Sequence, residues 1–344
     1  MPRTLKVAVA GLGPVGQAVA RLVLQTPGLK LTAAADPAAR YAGLDVGNIL
    51  GLPRRIGVKV DGNPERWLRK VRADVAFLCT SSLLKDVRPQ VVSLVGHRMH
   101  VLTSCEELAH PASGQQSAFR EIDRLARARK VGVLATGVNP GFAMDALALT
   151  LTGPCARVRR VAVTRVVDAA GKLTIQRRVG AGLNLGQFRR ALTEGTIRHV
   201  GLPQSAQMIA SALGWKLERL DETVEPAIAP RDLDTEYLRI PAGAVAGLKQ
   251  CLRAYRGDEL AVSLDLQVYV GAESPRDHVL VDGDPPVDAT IAGGLSAEAS
   301  TAALLVNSLP RVLASPPGLL TVKDLPLVHA LNPQDLAASP RRKR

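Results

Sequence analysis

The sequence has few aromatic residues and few cysteines, and it lacks long apolar segments. Aromatic residues make up 3% of the 344 residues, and the four cysteines form no CxxC pair. No apolar run reaches the roughly 18 residues of a membrane-spanning helix. The N-terminal residues lead straight into a predicted strand without a cleavable signal. We therefore expect a cytoplasmic protein with reduced cysteines and no membrane partner.

Two further classes of partner lack support in the sequence. No group of His, Cys and Asp has the spacing of metal ligands, so we predict no metal. The net charge of +13 is typical of proteins that bind nucleic acid. However, the arginines are scattered through every predicted element, and few aromatic side chains are available to stack on bases. We expect no nucleic-acid partner and interpret the basic segment Pro340–Arg344 as a solvated tail.

The stretch Leu5–Gln25 has the pattern of a dinucleotide-binding turn. Its first part, Leu5–Ala10, predicts a strand buried on both faces, and apolar residues then recur at helical spacing. Between them lies a G-x-G-x-x-G motif. Its glycines allow a tight turn, close approach of a pyrophosphate and close helix packing, while a proline suits the first helical turn. The free N–H groups of the helix attract phosphate. The predicted cofactor-binding residues here are Gly11, Gly13, Pro14, Val15 and Gly16.

An acidic residue follows the second predicted strand, Leu29–Ala35. Asp36 lies 20 residues after Gly16, where a carboxylate binds the ribose hydroxyls of the adenosine. Asp36 favours NAD(H), because the 2′-phosphate of NADP(H) would meet a negative charge. Arg40 could accept that phosphate, so NADP(H) stays open, although a solvated surface arginine is an equal alternative.

The pattern of elements predicts an α/β protein with two domains. Strands and helices alternate over residues 1–140, which predicts a doubly wound parallel sheet of the Rossmann type. Residues 141–295 carry strands of period two, including Leu173–Val179, and predict an α+β domain with a largely antiparallel sheet. A helix over Ser296–Leu313 returns the chain, so residues 296–344 should pack on the Rossmann domain.

Candidate catalytic residues lie at the predicted carboxyl ends of strands, where open α/β sheets bind ligands. The segments are Thr80–Ser82, with Thr80 and Ser81 as cofactor contacts, Thr103–Glu107 and Thr136–Phe142. Glu106 and Glu107 directly follow a buried strand. A desolvated carboxylate there could act as general acid/base, or both acids could stabilise a helix N-terminus.

Other candidates are open to two interpretations. Cys105 could attack an aldehyde as a thiolate, although a small buried residue is the commoner role of a lone cysteine. The turn Asn139–Gly141 could orient a substrate or a cofactor. Arg165, in the middle of a strand, could bind a substrate carboxylate, or it could pair with Asp168 or another acid. Weaker candidates of the same kind are His199 and Gln176.

Several separated segments resemble the 2,4-diaminopentanoate dehydrogenases and the related native amine dehydrogenases, which share the fold of dihydrodipicolinate reductase. The segments are TSCEELAHP (Thr103–Pro111), TGVNPGFAMD (Thr136–Asp145), RVVDAAGKLTIQRRVGAG (Arg165–Gly182), HVGLPQSAQMIASALGW (His199–Trp215) and the final STAALLVNSLP…PPGLLTVKDLP. The HHxxKxDAPSGT-type segment of true dihydrodipicolinate reductases is absent, which argues against dihydrodipicolinate as the substrate.

The resemblance implies a homodimer that reversibly deaminates an amine with NAD(P), releasing ammonia, and whose second domain forms much of the dimer interface. The family's catalytic carboxylate falls on TSCEEL, so the acid/base role carries over to Glu106 first and to Glu107 second. The substrate pocket carries over to Asn139, Pro140, Phe142, Thr301 and Leu304.

Alternatives stay open for both the substrate and the reaction. A substrate with a carboxylate needs a cation, for which Arg165 is the candidate, whereas an alkyl amine or ketone needs only an apolar pocket. Residues that could line such a pocket are Phe142, Met144, Leu183 and Leu304. Two other functions stay open, namely an acylating aldehyde dehydrogenase that uses Cys105 and a non-catalytic NAD-binding sensor.

Overall fold

The computed structural model describes residues 4–112 and 114–332, together with residues 334 and 336. The segment Pro340–Arg344 lies outside the described residues. The chain divides into two compact units. The first unit comprises Met1–Gly141 and Ser296–Arg344, and the second comprises Phe142–Leu295.

The first unit contains a seven-stranded sheet in which every pair of neighbouring strands is parallel. Its strands are β1 (Leu5–Ala10), β2 (Leu29–Ala35), β3 (Val60–Asp61), β4 (Val75–Leu78), β5 (His100–Thr103), β6 (Gly132–Ala135) and β15 (Gly318–Leu320). They lie in the order β15-β6-β5-β4-β1-β2-β3, so the chain winds outward from β1 in both directions. The prediction of a doubly wound parallel sheet is confirmed.

The register of this sheet brings the ends of five strands into one row. Ala10 pairs with Ala35 on one side and with Leu78 on the other. Leu78 in turn pairs with Thr103, and Thr103 pairs with Ala135, which continues the row. The segments that leave these residues therefore start from the same edge of the sheet. This edge collects the glycine turn, Asp36 and the predicted catalytic segments.

The helices of the first unit include the returning helix. They are α1 (Pro14–Gln25), α2 (Val46–Ile49), α3 (Pro64–Lys70), α4 (Leu84–Gly96), α5 (Gln116–Arg129) and α10 (Ala297–Ala314). Helix α10 packs on α1 and β5 through buried residues such as Leu305 and Leu309, as predicted. It continues past Pro310 for four residues. No helix in the described part of the chain is long and apolar enough to cross a membrane.

The second unit contains a six-stranded mixed sheet in which four of the five strand pairs are antiparallel. In the order of the sheet its strands are β14 (Val287–Ala292), β13 (Arg276–Asp284), β7 (Arg157–Asp168), β12 (Glu259–Tyr269), β11 (Val245–Arg256) and β8 (Arg219–Ile228). A small pair, β9 (Leu233–Asp234) and β10 (Arg239–Ile240), is separate. The prediction of a largely antiparallel sheet is confirmed.

Four helices belong to the second unit, and one of them replaces a predicted strand. They are α6 (Ala146–Thr152), α7 (Leu173–Arg178), α8 (Leu185–Thr193) and α9 (Leu202–Ala212). The prediction of a strand over Leu173–Val179 is therefore wrong. Apolar residues alternate there, but the buried positions are Gln176, Val179 and Gly180, which have helical spacing. Gln176 is buried because its amide donates to the carbonyl of Ala170 at 2.8 Å.

Candidate active site

The glycine turn between β1 and α1 leaves open space at one glycine only. A Cβ on Gly11, whose φ is +81°, would lie 2.3 Å from the carbonyl oxygen of Cys79. A Cβ on Gly16 would lie 1.7 Å from the carbonyl oxygen of Gly11. A Cβ on Gly13 would meet nothing within 4 Å. Because Gly13 is the N-cap of α1, this space adjoins the free N–H groups of the helix and fits a pyrophosphate.

The carboxylate of Asp36 holds the glycine turn in place. One oxygen accepts the Leu12 N–H at 2.6 Å, and the other accepts the Ala38 N–H at 2.8 Å. The residue is 8% exposed. Each oxygen keeps a second lone pair, so the group can also accept the hydroxyls of a ribose. The glycine turn and Asp36 together fit a dinucleotide.

Arg40, the predicted partner of a 2′-phosphate, lies over the aromatic ring of Tyr41. The guanidinium carbon is 4.7 Å from the ring centre, the geometry of a cation–π contact. The hydroxyl of Tyr41 accepts a hydrogen bond from the amide of Gln17 on α1 at 3.2 Å. Arg40 is thereby connected through Tyr41 to the helix of the glycine turn, and its role towards NADP(H) stays a prediction.

The turn after β4 is tied to helix α4. The hydroxyl of Thr80 donates to the Gln90 side chain at 3.0 Å, and that of Ser81 donates to the Asp86 carboxylate at 2.8 Å. Ser81 also accepts the Leu83 N–H at 3.1 Å. Both predicted cofactor contacts therefore lie at the edge that carries the glycine turn, in a segment fixed by a helix.

Glu107 is engaged by the N-terminus of α4. Its carboxylate accepts the N–H of Leu84, the first residue of that helix, at 2.7 Å. Its own N–H donates to the carbonyl of Ser82 at 3.2 Å. A carboxylate in this place satisfies an otherwise unpaired helix N–H and interacts favourably with the helix dipole. Glu107 thus joins the segment after β5 to the segment after β4.

We expect Glu107→Ala to destabilise the fold by about 1–2 kcal/mol, the usual cost of losing a helix cap. Glu107→Gln should lose less, because the amide oxygen can still accept the Leu84 N–H. Chemical unfolding of both variants measures the difference. Equal stability of the alanine variant and the wild type would contradict the capping role.

Glu106 begins a short 3-10 helix, Glu106–Leu108, three residues beyond the end of β5. Its side chain is half-buried. The preceding residue Thr103 is buried and fixes the start of the segment, because its hydroxyl donates to the Leu78 carbonyl at 2.7 Å and accepts the Cys105 N–H at 3.1 Å. The segment that carries Glu106 is therefore anchored to two strands.

Cys105 is unsuited to nucleophilic catalysis. It is 1% exposed, and its thiol donates to the carbonyl of Ser82 at 3.3 Å. Burial, with a further contribution from the Glu106 and Glu107 carboxylates, raises the pKa of the Cys105 thiol to about 12. At neutral pH the group is a thiol, whereas nucleophilic attack needs the thiolate.

Alkylation with iodoacetamide at pH 7 should leave Cys105 unmodified and turnover unchanged, because both burial and the raised pKa suppress the thiolate. Peptide mass spectrometry measures modification at each cysteine alongside residual activity. Rapid modification of Cys105 with parallel loss of turnover would revive the acylating alternative.

The turn after β6 is held by helix α10. The N–H of Val138 donates to the Thr301 hydroxyl at 3.1 Å. The Asn139–Pro140 bond is cis, and Gly141 has a φ of +127°. A Cβ on Gly141 would lie 2.4 Å from the Gly137 nitrogen, so only glycine fits. The first unit thereby brings together four predicted pocket residues: Asn139, Pro140, Thr301 and, one helical turn further on, the half-buried Leu304.

The other predicted pocket residues belong to the second unit. Phe142 is half-buried, whereas Met144 is fully buried. Leu183 packs against a core cluster that includes Phe188 and Ile197. Met144 and Leu183 therefore contribute to the interior of the second unit, and their predicted contact with a substrate stays a prediction.

Arg165 pairs with Asp277 rather than with Asp168. Its guanidinium donates to the Asp277 carboxylate at 2.5 Å and to the carbonyl of Leu295 at 2.5 Å. Asp168 instead accepts two backbone N–H groups. The structure gives Arg165 the structural pairing that was one of the two predictions for it. The sequence gives no local signal for Asp277 as the partner, because this acid lies between the polar residues Arg276 and His278.

His199 is uncharged at neutral pH. Burial, reinforced by the positive charges of Arg178 and Arg165, lowers the pKa of His199 to about 3. Its backbone exchanges two hydrogen bonds of 2.8 Å with the side chain of the buried Gln250. No group of three or more His, Cys, Asp or Glu within the described ranges could hold a metal ion.

Comparison with known proteins identifies the family. The model of the 2,4-diaminopentanoate dehydrogenase C-terminal domain matches residues 142–339, and that of the dihydrodipicolinate reductase N-terminus matches residues 5–84. A 2,4-diaminopentanoate dehydrogenase of Acetoanaerobium sticklandii is 30% identical over 338 residues, which cover 95% of each chain.

Two solved structures share the fold. An amine dehydrogenase from Mycobacterium smegmatis matches with a TM-score of 0.83 and 22% identity over 96% of this chain and 98% of that one. A dipicolinate-bound dihydrodipicolinate reductase from Paenisporosarcina sp. TG-14 matches with a TM-score of 0.51 and 15% identity, over 93% and 99% of the two chains.

The parallel sheet, the glycine turn and Asp36 define an oxidoreductase whose cofactor is NAD(H). The chain belongs to the 2,4-diaminopentanoate dehydrogenase family, which places it among the oxidoreductases that act on CH–NH2 groups. The resemblance found in the sequence is confirmed.

Proposed function

We propose that this protein is an NAD(P)-dependent amine dehydrogenase that interconverts an amine with a ketone or aldehyde and ammonia. The observation that carries the proposal is the single row of strand ends that collects the glycine turn, Asp36 and the Glu106 segment. A cofactor site and a carboxylate therefore start from one edge of one sheet. The relative named 2,4-diaminopentanoate dehydrogenase supports the choice of an amine.

Glu106 is the catalytic acid/base of this proposal. Two adjacent acids compete for the role, but the carboxylate of Glu107 already accepts the N–H of Leu84 at the start of α4. Protonation of Glu107 during each turnover would disturb that helix cap. Glu106 lies on the same segment, at the start of the 3-10 helix, and a change in its protonation state does not involve this helix cap.

The reaction balances as ketone, ammonia, NAD(P)H and a proton giving amine, NAD(P)+ and water. Ammonia adds to the carbonyl carbon, and the Glu106 carboxyl group then protonates the departing hydroxyl so that water leaves and an iminium forms. When a nicotinamide cofactor is bound, it would supply the hydride that reduces this carbon. In the deamination direction, the Glu106 carboxylate takes the proton of the attacking water. Gly13 and Asp36 bind and orient the cofactor.

We also propose that the protein forms homodimers through the second unit. Helix α6 packs against β13, where Val279 and Val281 are buried. Leu280 points to the opposite face of the sheet and is 40% exposed. It lines a shallow cavity there with Arg160, Ala162 and Pro286. Sedimentation equilibrium at micromolar concentration should give twice the monomer mass of 36.4 kDa, and a monomer would contradict the proposal.

The function is tested by initial rates of NAD(P)H oxidation with a panel of ketones and aldehydes, each with and without ammonia. We expect oxidation only when ammonia is present. Oxidation that does not need ammonia would identify a carbonyl reductase instead. Tight NADH binding without any turnover would favour the non-catalytic sensor.

A further inference from the structure

Leu12, the middle residue of the glycine turn, has both of its main-chain polar groups bonded to side chains. Its N–H donates to the Asp36 carboxylate at 2.6 Å. Its carbonyl accepts a hydrogen bond of 2.8 Å from the side-chain amide of Gln17, which lies on α1. The Leu12 side chain is fully buried in the core. The main chain of the turn is therefore held by an acid on one side and by an amide on the other.

The bond to Gln17 decides where the next N–H group points. The Leu12–Gly13 bond is trans, and in a trans peptide the carbonyl of one residue and the N–H of the next point in opposite directions. Because the Leu12 carbonyl points to Gln17, the Gly13 N–H points away from it. Gly13 is exposed, and within the described ranges its N–H donates to no protein group. The turn thus presents this N–H beside the open space that fits a pyrophosphate.

The Gly13 N–H gains importance because the following residue is a proline. Pro14 is the first residue of α1, and it carries no N–H. The N-terminus of α1 therefore offers one donor fewer to an anion than a helix that begins with any other residue. The Gly13 N–H makes up for this donor as long as its peptide keeps the orientation that Gln17 gives it.

Gln17 is itself held in place by the segment that follows β2. Its amide also donates to the hydroxyl of Tyr41 at 3.2 Å. The N–H of Tyr41 donates to the carbonyl of Ala38 at 2.9 Å, and the N–H of Ala38 donates to Asp36 at 2.8 Å. One short segment thus fixes both sides of Leu12, directly through Asp36 and indirectly through Tyr41 and Gln17.

We propose that Gln17 is a positioning residue for the dinucleotide and that Tyr41 supports it. The amide of Gln17 aims the Gly13 N–H at the pyrophosphate and does not itself touch the cofactor. This role rests on the NAD(H) cofactor of the proposed function, and it adds a residue outside the glycine motif and its acid. Because the role concerns binding, it can be tested without a substrate.

Gln17→Met removes the donor and keeps the length of the side chain. We expect the Kd of NADH to rise about tenfold, the effect of losing one hydrogen bond to a charged group. Tyr41→Phe should raise it about two- to fivefold, since Gln17 keeps its bond to Leu12. Gln25→Met lies at the exposed end of the same helix, and as the matched control it should bind NADH like the wild type. Calorimetric titration with NADH measures all three affinities.

Fragments of the cofactor separate positioning from a general loss of structure. ADP-ribose contains the pyrophosphate, whereas adenosine contains only the ribose that Asp36 fits and its base. In Gln17→Met, the Kd of ADP-ribose should rise by the same factor as that of NADH, and the Kd of adenosine should stay unchanged. Both are measured by displacement of NADH. Equal weakening of both fragments would overturn the proposal, and so would an unchanged Kd of NADH in a folded Gln17→Met protein.

Initial rates of ammonia-dependent NADH oxidation distinguish this role from the proposed function. Normal NADH affinity in Gln17→Met, with ammonia-dependent oxidation by the wild type, would overturn the positioning role and leave the function intact. A tenfold loss of affinity without any oxidation by the wild type would support the positioning role and reject the function. If Gln17→Met does not fold, Tyr41→Phe decides, and normal NADH affinity there would overturn the proposal.

Discussion

Glu106→Gln should bind NADH as tightly as the wild type and lose about two to four orders of magnitude in kcat, the usual contribution of a general acid/base. The amide is nearly isosteric with the carboxyl group, so the half-buried 3-10 helix keeps its shape. However, the glutamine amide cannot give or take the proton that the loss of water requires. Initial rates of ammonia-dependent NADH oxidation and a fluorescence titration of NADH measure the two quantities separately.

Glu107→Gln is the matched control for this experiment. The amide keeps an oxygen for the N–H of Leu84, so the helix cap persists and most of the turnover should survive. The reverse pattern, with full activity in Glu106→Gln and loss in Glu107→Gln, would move the catalytic role to the neighbouring residue. Loss of NADH binding in Glu106→Gln would mean that the segment is structural.

Gly13→Ala should fold normally and bind NADH about 10- to 100-fold more weakly. The added methyl group meets nothing within 4 Å in the protein itself, and the φ of −66° at this position suits alanine. It would occupy the space through which a pyrophosphate reaches the backbone, and loss of one or two charged hydrogen bonds has this magnitude. Calorimetric titration with NADH and a thermal unfolding curve measure affinity and folding.

Two other glycines provide controls for this variant. Gly96→Ala lies at the end of α4 with nothing within 4 Å, and it should change neither affinity nor folding. Gly16→Ala would collide with the Gly11 carbonyl and should lower stability as well as affinity. If Gly13→Ala bound NADH like the wild type, the assignment of the pyrophosphate site would be wrong.

The dinucleotide-binding half could be predicted from the sequence because its signals are local. Strand, glycine turn, helix and Asp36 all lie within residues 5–36, and each has a pattern of its own. The alternation of strands and helices in residues 1–140 sufficed to predict the parallel sheet. The period-two strands of residues 141–295 sufficed to predict the largely antiparallel sheet. Burial on both faces of a parallel strand leaves a continuous apolar run that is easily recognised.

Sequence patterns led to a wrong or ambiguous prediction where the structure of a segment depends on a contact outside that segment. Leu173–Val179 alternates like a strand, but the bond from Gln176 to Ala170 buries a polar side chain and completes a helical face. Glu107, one of the two adjacent acids, is fixed by its contact with Leu84, 23 residues earlier. Arg165 is neutralised by an acid 112 residues further on. None of these partners can be identified from spacing alone.

The stoichiometry of the reverse reaction decides whether the protein is an amine dehydrogenase. NAD+ is supplied with an alkyl amine, such as pentan-2-amine, and the NADH and ammonia that form are measured together. We expect one ammonia to be released for each NADH that forms. NADH formation without release of ammonia, or NAD+ binding with no reduction by any of a series of alkyl amines, would contradict this function.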